Sequence, residues 1–280
     1  MRLSGHEIAF VLGKGGSTKA KIASAAGCSI DIDSERGVAE VFSNTSFFNV
    51  KKGLKYVRLC KLSRNINVRL RLPDDDDGDL TVMRVPSDCA GFVTGREGAF
   101  LRACEEQYGT FMFFCDLPDL DRGAAAANNS PSPMDDGVDY LAVFGDEMGR
   151  KGASLKIMGA VETKLPGYYL DDIDSNYISD EAGFDTETRQ LSNDEMSFAM
   201  GREGLTRRKI ARASNGGVLE FVGLVAFLCG KMPVRRRLRD YLEMLLKQRA
   251  YGHIHVPDKM ERDDCTVLKI PSTYMGLVRG

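Results

Sequence analysis

Residues 82–104 read VMRVPSDCAGFVTGREGAFLRAC: an apolar strand-like run, a helix-like run, a Gly-x-x-Gly tetrapeptide and a second helix-like run. The tetrapeptide occurs again at 13–16 and 201–204, and Gly280 begins a fourth copy. The first glycines, at 13, 95, 201 and 280, are 82, 106 and 79 residues apart. This spacing is that of small domains, so the sequence predicts one repeated domain and not a solenoid of short repeats. The residue three places before the first glycine is large and apolar in every copy: Phe10, Phe92, Phe198 and Leu277.

The composition is typical of a soluble globular protein, with 43% apolar and 28% charged residues in a chain of 280. No run of 18 apolar residues and no secretory leader is visible, so we expect no membrane partner. The seven cysteines have no C-x-x-C spacing and are interpreted as reduced thiols. We therefore expect a cytoplasmic protein, with the nucleus as an alternative location.

The net charge of −2 hides large local differences. Residues 1–62 carry 10 basic and 5 acidic side chains, residues 80–165 carry 8 and 13, and residues 187–251 carry 13 and 7. Because a local basic surface can bind phosphate whatever the total charge, nucleic acid is not excluded as a partner.

The apolar periodicity changes in the same order in repeats two and three: strand, helix, Gly-x-x-Gly, helix, strand, strand, helix. Repeat one follows this order from its first helix, which opens it at 6–12. In the second repeat it predicts strands at 80–85, 110–115 and 140–144 and a closing helix at 153–164. In the third, the arginines at 235–237 and 239 are interpreted as a solvated face of the last helix, with a nuclear-import or nucleic-acid patch as the alternative.

The repeats and the segments between them predict the domain organisation. Two segments, the Ala/Asn/Ser/Pro stretch and an acidic segment with six carboxylates and no base, lack apolar periodicity, so we expect them to be mobile. The predicted divisions are unit one (1–64), an acidic connector (65–79), unit two (80–165, with a disordered insertion at 121–138), an acidic linker (166–186), unit three (187–251), and a connector with the start of a fourth unit (252–280), which holds a strand at 266–270.

The order of elements and the sequence of 82–104 resemble the type I KH (hnRNP K homology) domain, and unit one matches its pattern over 8–32. The whole chain is similar to multi-KH proteins of the vigilin kind. The resemblance implies an α+β fold of tandem KH-like domains (βααββα), each with a three-stranded antiparallel sheet packed against three helices.

The resemblance also implies single-stranded RNA as partner, with single-stranded DNA as the second choice. In this family the turn holds the nucleic-acid backbone while bases lie on a groove between helix and strand. Glycines let the chain approach phosphate, and the next helix offers free N–H groups. The residues predicted to contact nucleic acid are Gly13, Lys14, Gly15, Gly16, Lys19, Lys21, Gly95, Arg96, Glu97, Gly98, Arg102, Gly201, Arg202, Glu203, Gly204, Arg207 and Arg208.

Two departures from the family pattern affect these sites. Lys19 and Arg207 stand where the family usually has an aliphatic residue such as Leu101, and we expect their stems on the core with the charge outside. Glu97 and Glu203 place a carboxylate within the turn, so these turns are expected to hold phosphate less well than Lys14-Gly15. Units one and three, which are the basic ones, are expected to contribute most of the affinity.

No catalytic grouping is visible, and we expect neither an enzyme nor a bound cofactor or metal. Gly13 to Lys19 lacks the second glycine of a P-loop, and His253 and His255 have no third ligand nearby. The interpretation is an RNA-binding protein in post-transcriptional regulation. Two alternatives stay open: a protein-interaction scaffold of degenerate KH domains, with protein partners, and an accessory RNA-binding region of a larger RNA-processing enzyme.

Overall fold

A computed structural model describes residues 1–63, 68–72, 76–118, 137–252, 264, 266 and 268–279 of the chain. The fold is mixed α+β, with helices packed on antiparallel sheets. The helices are α1 (Gly5–Leu12), α2 (Ser17–Ala26), α3 (Phe47–Ser63), α4 (Ser87–Thr94), α5 (Ala99–Tyr108), α6 (Glu147–Lys164), α7 (Asn193–Met200), α8 (Leu205–Ala213), α9 (Met232–Tyr251) and α10 (Met275–Arg279). The strands are β1 (Ser29–Asp33), β2 (Val38–Phe42), β3 (Val68–Arg69), β4 (Leu80–Pro86), β5 (Phe111–Asp116), β6 (Val138–Phe144), β7 (Phe184–Gln190), β8 (Val218–Val222) and β9 (Val225–Lys231).

The strands form three sheets, ordered β1-β2, β3-β5-β6-β4 and β7-β9-β8. Their neighbours pair antiparallel, apart from the parallel pair β3 and β5. Phe144 of the central strand β6 lies opposite both Leu80 and Phe111, and Cys229 of β9 lies opposite Thr186 and Val218. The last strand of units two and three is therefore held between the two earlier ones.

Unit one departs from the expected three-stranded sheet. The described residues there form the hairpin β1-β2 and a single antiparallel bridge between Arg2 and Val38. Three residues precede Ser4, the N-cap of α1, and the backbone N–H of Leu3 donates to the carbonyl of Gly37 at 2.8 Å. Among the described residues of unit one, this bridge stands where the other two units have their opening strand.

The sheet of unit two is covered on both faces. Phe111, Phe113 and Cys115 alternate along β5 toward a core shared with unit one, whereas Met112 and Phe114 face the helices of unit two. Tyr56 of α3 is fully buried in the shared core, with its ring centroid 5.9 Å from that of Phe111 and 5.3 Å from that of Phe144. Helices of unit one thus pack on the face of this sheet that its own helices leave open.

Helix α6 repeats this arrangement between units two and three. Ala153, Ile157 and Val161 pack on the sheet of unit two, while Leu155 joins a core with strands β8 and β9. A Cβ on Gly159 would lie 3.1 Å from the carbonyl oxygen of Phe221, so helix and sheet approach closely there. Because both faces of the third sheet are covered, β8 and β9 are nearly continuous buried apolar runs.

The segment predicted as an acidic linker, 166–186, is packed against this core. Leu170 and Ile173 contact the buried strands of unit three, and the carboxylate of Glu162 accepts from the backbone N–H of Gly167 at 2.7 Å and of Leu170 at 3.1 Å. Strand β7 begins at Phe184, inside the predicted linker. Two apolar side chains and a buried carboxylate hold the segment in place, despite its six acidic residues.

Arg235 also corrects an expectation, because it is fully buried and not part of a solvated face. Its Nε donates to Glu187 Oε1 at 3.2 Å, and its terminal nitrogens donate to the carbonyl oxygens of Ser179, Glu181, Gly183 and Gly230. The guanidinium thereby ties helix α9 to the end of the acidic segment.

Other boundaries differ in smaller ways. The predicted connector 65–79 contains β3 and the buried Asp79. The predicted insertion lies outside the described residues over 121–136, and β6 begins within it at Val138. The predicted strand at 266–270 is absent at residues 266 and 268–270, although α10 follows. Within the described ranges, no helix is both long and apolar enough to span a membrane.

Candidate nucleic-acid interface

The three Gly-x-x-Gly sequences form the same backbone turn. Each is a 3-10 turn (Lys14–Gly16, Arg96–Gly98, Arg202–Gly204) between two helices. The first glycine has φ of 68°, 72° and 66° in the three copies, with ψ of 176°, 171° and 176°. The last glycine donates its N–H to the carbonyl of the first at 3.2, 3.0 and 3.1 Å. The repeat seen in the sequence is thus a repeat of conformation.

The first glycine of each turn has no room for a side chain. A Cβ on Gly13 would lie 2.3 Å from Thr18 Oγ1, and a Cβ on Gly201 would lie 2.1 Å from Thr206 Oγ1. In the second turn, a Cβ on Gly95 would lie 2.8 Å from the Phe100 backbone nitrogen. The helix that follows each turn therefore folds back directly over this glycine.

The third position of each turn is left-handed, and two of the three copies place Glu there. Gly15 has φ of 60°, and Glu97 and Glu203 have φ of 53° and 52°. Apart from these two, Asn215 is the one non-glycine residue with positive φ in the described parts of the chain. A side chain in this region costs about 1–2 kcal/mol. The turn therefore has the same backbone conformation in all three copies, although a glutamate side chain disfavours that conformation in two of them.

Most of the predicted basic contacts lie at the surface. Lys14, Arg96 and Arg202, in the turns, are exposed, and so are Arg102 and Arg208, one helical turn further on. Lys19 is half-buried. Each turn therefore offers at least one accessible cation beside the N-terminus of α2, α5 or α8.

Two predicted contacts instead bind other protein groups. Lys21 Nζ lies 2.9 Å from Glu105 Oε2 of unit two and 5.4 Å from the centre of the Phe111 ring. Burial raises the pKa of Glu105, and its carboxylate also accepts from the backbone N–H of Met112 at 2.8 Å. Lys21 therefore links units one and two, and part of its charge is already neutralised by Glu105.

Arg207 is likewise internal, with 6% of its surface exposed. Its guanidinium pairs with Glu220 and donates to the carbonyl of Leu219 at 3.0 Å and to Tyr108 Oη at 3.2 Å. Burial raises the pKa of Glu220, and the adjoining guanidinium favours its ionised form. The expectation that this charge points outward is wrong, because unit two covers it.

An aromatic residue repeated beside each turn was not among the contacts predicted from the sequence. Phe10, Phe92 and Phe198 are 38%, 50% and 40% exposed on the helix that leads into the turn. An exposed ring next to a cation can stack on an unpaired base. Their common position, three residues before the first glycine, is the signal that could have identified them.

Two cavities lie beside these turns. The first, about 390 Å³, is lined by Ser17, Thr18 and Lys21 of α2 and by Arg102 of α5. The second, about 650 Å³, lies between α7, α8 and β8 of unit three and is closed on one side by Phe92, Phe100 and Lys156 of unit two. We call them the first and second junction cavities.

No family model matches the chain, and no curated protein matches it. Among solved structures it is similar to Dim2p from Pyrococcus horikoshii OT3, with 18% identity, a TM-score of 0.23, and 57% of this chain and 88% of that chain covered. A complex of a/eIF2alpha, aDim2p and rRNA from the same organism gives 15% identity and a TM-score of 0.28, covering 62% and 88%. A protein of unknown function from Aeropyrum pernix gives 17% and 0.23, covering 58% and 80%. At these TM-scores the likeness decides neither topology nor function.

Proposed function

We propose that this protein binds single-stranded RNA through tandem type I KH-like units at 1–64, 80–165 and 187–251, without catalysing a reaction. Units two and three support the assignment through the element order strand, helix, turn, helix, strand, strand, helix. We extend the proposal to a cytoplasmic location, with the nucleus as the alternative.

The observation that carries the proposal is the common conformation of the three turns. Each turn brings a glycine backbone, the N-terminus of a following helix and an exposed basic side chain to one place. Such a place suits phosphate because the approach is unhindered and the helix end is electropositive. The exposed phenylalanine beside each turn adds a surface on which a base can stack.

The turns should bind unequally. Turn one has exposed Lys14 and no carboxylate, whereas Glu97 and Glu203 lie exposed within turns two and three. In turn three, Arg202 lies 4.0 Å from Glu203, so part of its charge is already neutralised. We expect turn one to contribute more to the affinity for RNA than either of the other two turns.

A titration with labelled homopolymer RNAs at several salt concentrations tests the proposal. Affinity should fall steeply with salt, because each phosphate neutralised releases counterions. Replacing Lys14 and Gly15 by Asp should weaken binding and lower the salt slope. Arg58→Asp, a charge reversal at an exposed position on α3, is the matched control. Binding without salt dependence, or an equal loss in the control, would contradict the proposal.

One observation favours a second candidate, a scaffold that binds protein. The exposed carboxylates of Glu97 and Glu203 repel phosphate but suit a basic peptide, and the exposed rings suit its apolar side chains. Absence of RNA binding by a folded protein would favour this candidate.

A further inference from the structure

Helices α2 and α5 run side by side in the same direction. Lys21 Nζ of α2 lies 2.9 Å from Glu105 Oε2 of α5. Three residues later, Ser24 Oγ lies 3.4 Å from where a Cβ on Gly109 would be, four residues after Glu105. The later residue of α2 thus meets the later residue of α5, which means that the two helices run parallel. Turns one and two directly precede these helices and therefore lie at the same end of the pair.

Helix α8 lies beside α5 on the side away from α2, so that α2, α5 and α8 form a row of three helices. Phe100, at the start of α5, lines the second junction cavity together with Gly204, immediately before α8. At the other end of α5, Tyr108 lines a different cavity together with Ala211 of α8. The start of α5 is thus near the start of α8, and the end of α5 is near a later part of α8, so these helices also run parallel. Turn three therefore lies at the same end as turns one and two.

The junction cavities fill the gaps in this row. The first is lined by Ser17 and Thr18, which follow turn one, and by Arg102, four residues after turn two. The second is lined by Phe92 and Phe100, on either side of turn two, and by Glu203 and Gly204 of turn three. An RNA strand that runs from one turn to the next would therefore pass over a cavity on the way.

A buried donor without an acceptor lies at the second junction cavity. Arg207 lines the cavity, and its Nε has no hydrogen-bond partner in the described part of the chain. It lies 3.6 Å from where a Cβ on Gly204 would be. Leaving a buried N–H unpaired costs about 1–3 kcal/mol, so an acceptor from a ligand at this place would be stabilising.

We propose that the three turns bind one continuous strand of single-stranded RNA, and that a nucleotide between turns two and three enters the second junction cavity. Its base contacts the ring of Phe92 and accepts a hydrogen bond from Arg207 Nε. Exposed Arg208 and Lys156, whose Nζ also donates to Gln107 Oε1, line the cavity and supply positive charge for the strand's phosphates, whereas Glu220 is paired with Arg207. This inference rests on the proposed function and adds a binding residue from unit two to the site of unit three.

A double-mutant cycle on full-length protein with labelled oligouridine of about 24 nucleotides tests the shared strand. Phe92→Ala should weaken binding about tenfold in the wild-type background. When Arg202 and Glu203 are both replaced by Asp, the strand no longer crosses the cavity, and Phe92→Ala should change affinity less than about twofold. Phe10→Ala, the matching residue of unit one, should keep its full effect in both backgrounds.

Equal effects of Phe92→Ala in the two backgrounds would overturn the shared strand while leaving RNA binding intact. If the wild-type protein showed no salt-dependent binding of oligouridine, the proposed function itself would be overturned. The Arg207 contact has its own readout, the Nε–H resonance in NMR spectra, which should shift when oligouridine is added. Arg235 Nε, which is already bonded to Glu187, is the control. An unchanged Arg207 resonance at saturation would overturn that contact.

Discussion

The third residue of each turn must satisfy two demands. Its backbone is left-handed, which favours glycine, and its side chain lies where phosphate is expected, which disfavours a carboxylate. Gly15 meets both demands, whereas Glu97 and Glu203 meet neither. The sequence predicted these turns and their glycines because the constraint is local. It could not predict that Lys21 and Arg207 pair with other protein groups, because their partners, Glu105 and Tyr108 among them, belong to another unit.

Replacing Glu97 or Glu203 by Gly should therefore stabilise the fold and strengthen RNA binding. Relief of the left-handed side chain should raise the free energy of unfolding by about 1 kcal/mol for each residue. Denaturant unfolding and RNA titration measure the two effects. Gly15→Glu is the reciprocal control and should lower both quantities. A loss of stability on Glu203→Gly would show that the carboxylate contributes to the fold.

Glu7 gives a prediction about pH. Its carboxylate accepts from the backbone N–H of Ser4 at 2.7 Å and lies 3.0 Å from Lys61 Nζ, and these bonds lower its pKa to about 2. Because the folded-state pKa lies below the ordinary glutamate value of 4.5, the ionised form stabilises the fold. That contribution is present above the unfolded pKa and is lost as pH falls toward the folded value.

The stability difference between the wild type and Glu7→Gln should accordingly shrink as the pH falls from about 5 to about 2. Urea unfolding at several pH values measures this difference. Lys61→Met should leave a smaller but similar pH dependence, since the Ser4 bond remains. A difference that is constant over this pH range would contradict the lowered pKa.

Helix α6 shows what periodicity can and cannot predict about an element. The apolar stripe predicted a helix from 153, but α6 begins six residues earlier, where Asp146 caps it by accepting from the N–H of Gly149 at 2.6 Å. A Cβ on Gly152 would lie 2.3 Å from the ring of Tyr108, so the glycine admits a neighbouring helix. A glycine that weakens the helical signal is here a packing requirement.

Arg235 is the residue on which helix α9 most depends. Arg235→Ala should cost about 3–5 kcal/mol, because it leaves the carboxylate of Glu187 buried and short of a partner. The cost should be measured by denaturant unfolding against Arg236→Ala, an exposed position on the same helix. Comparable losses in the two variants would mean that the guanidinium of Arg235 is not a structural link.

The arrangement of the units follows from cores that cross their boundaries. One apolar cluster runs from Leu3 of unit one to Phe144 of unit two, and Leu155 of α6 packs into unit three. The sequence predicted units joined by linkers, because repeats reveal what each unit shares and not which faces meet. The paired faces come from residues that differ between units, such as Tyr56 and Leu155, and a repeat cannot identify these.

Tyr56 makes this coupling measurable. Its ring is buried against Phe111 and Phe144 of unit two, and its hydroxyl donates to buried Asp79 Oδ2 at 2.7 Å. Tyr56→Ala opens a cavity and leaves that carboxylate with fewer partners, so it should cost about 3–5 kcal/mol.

Because the core is shared, the loss should appear in both units. Amide hydrogen exchange should quicken in β5 and β6 of unit two as well as in α3. Phe47→Ala, on the same helix but 73% exposed, should change exchange in neither unit. If faster exchange in the Tyr56 variant were confined to residues 1–63, the two units would be separate folding units. The helices α2 and α5, which place turns one and two beside each other for a shared RNA strand, would then not be held rigidly together.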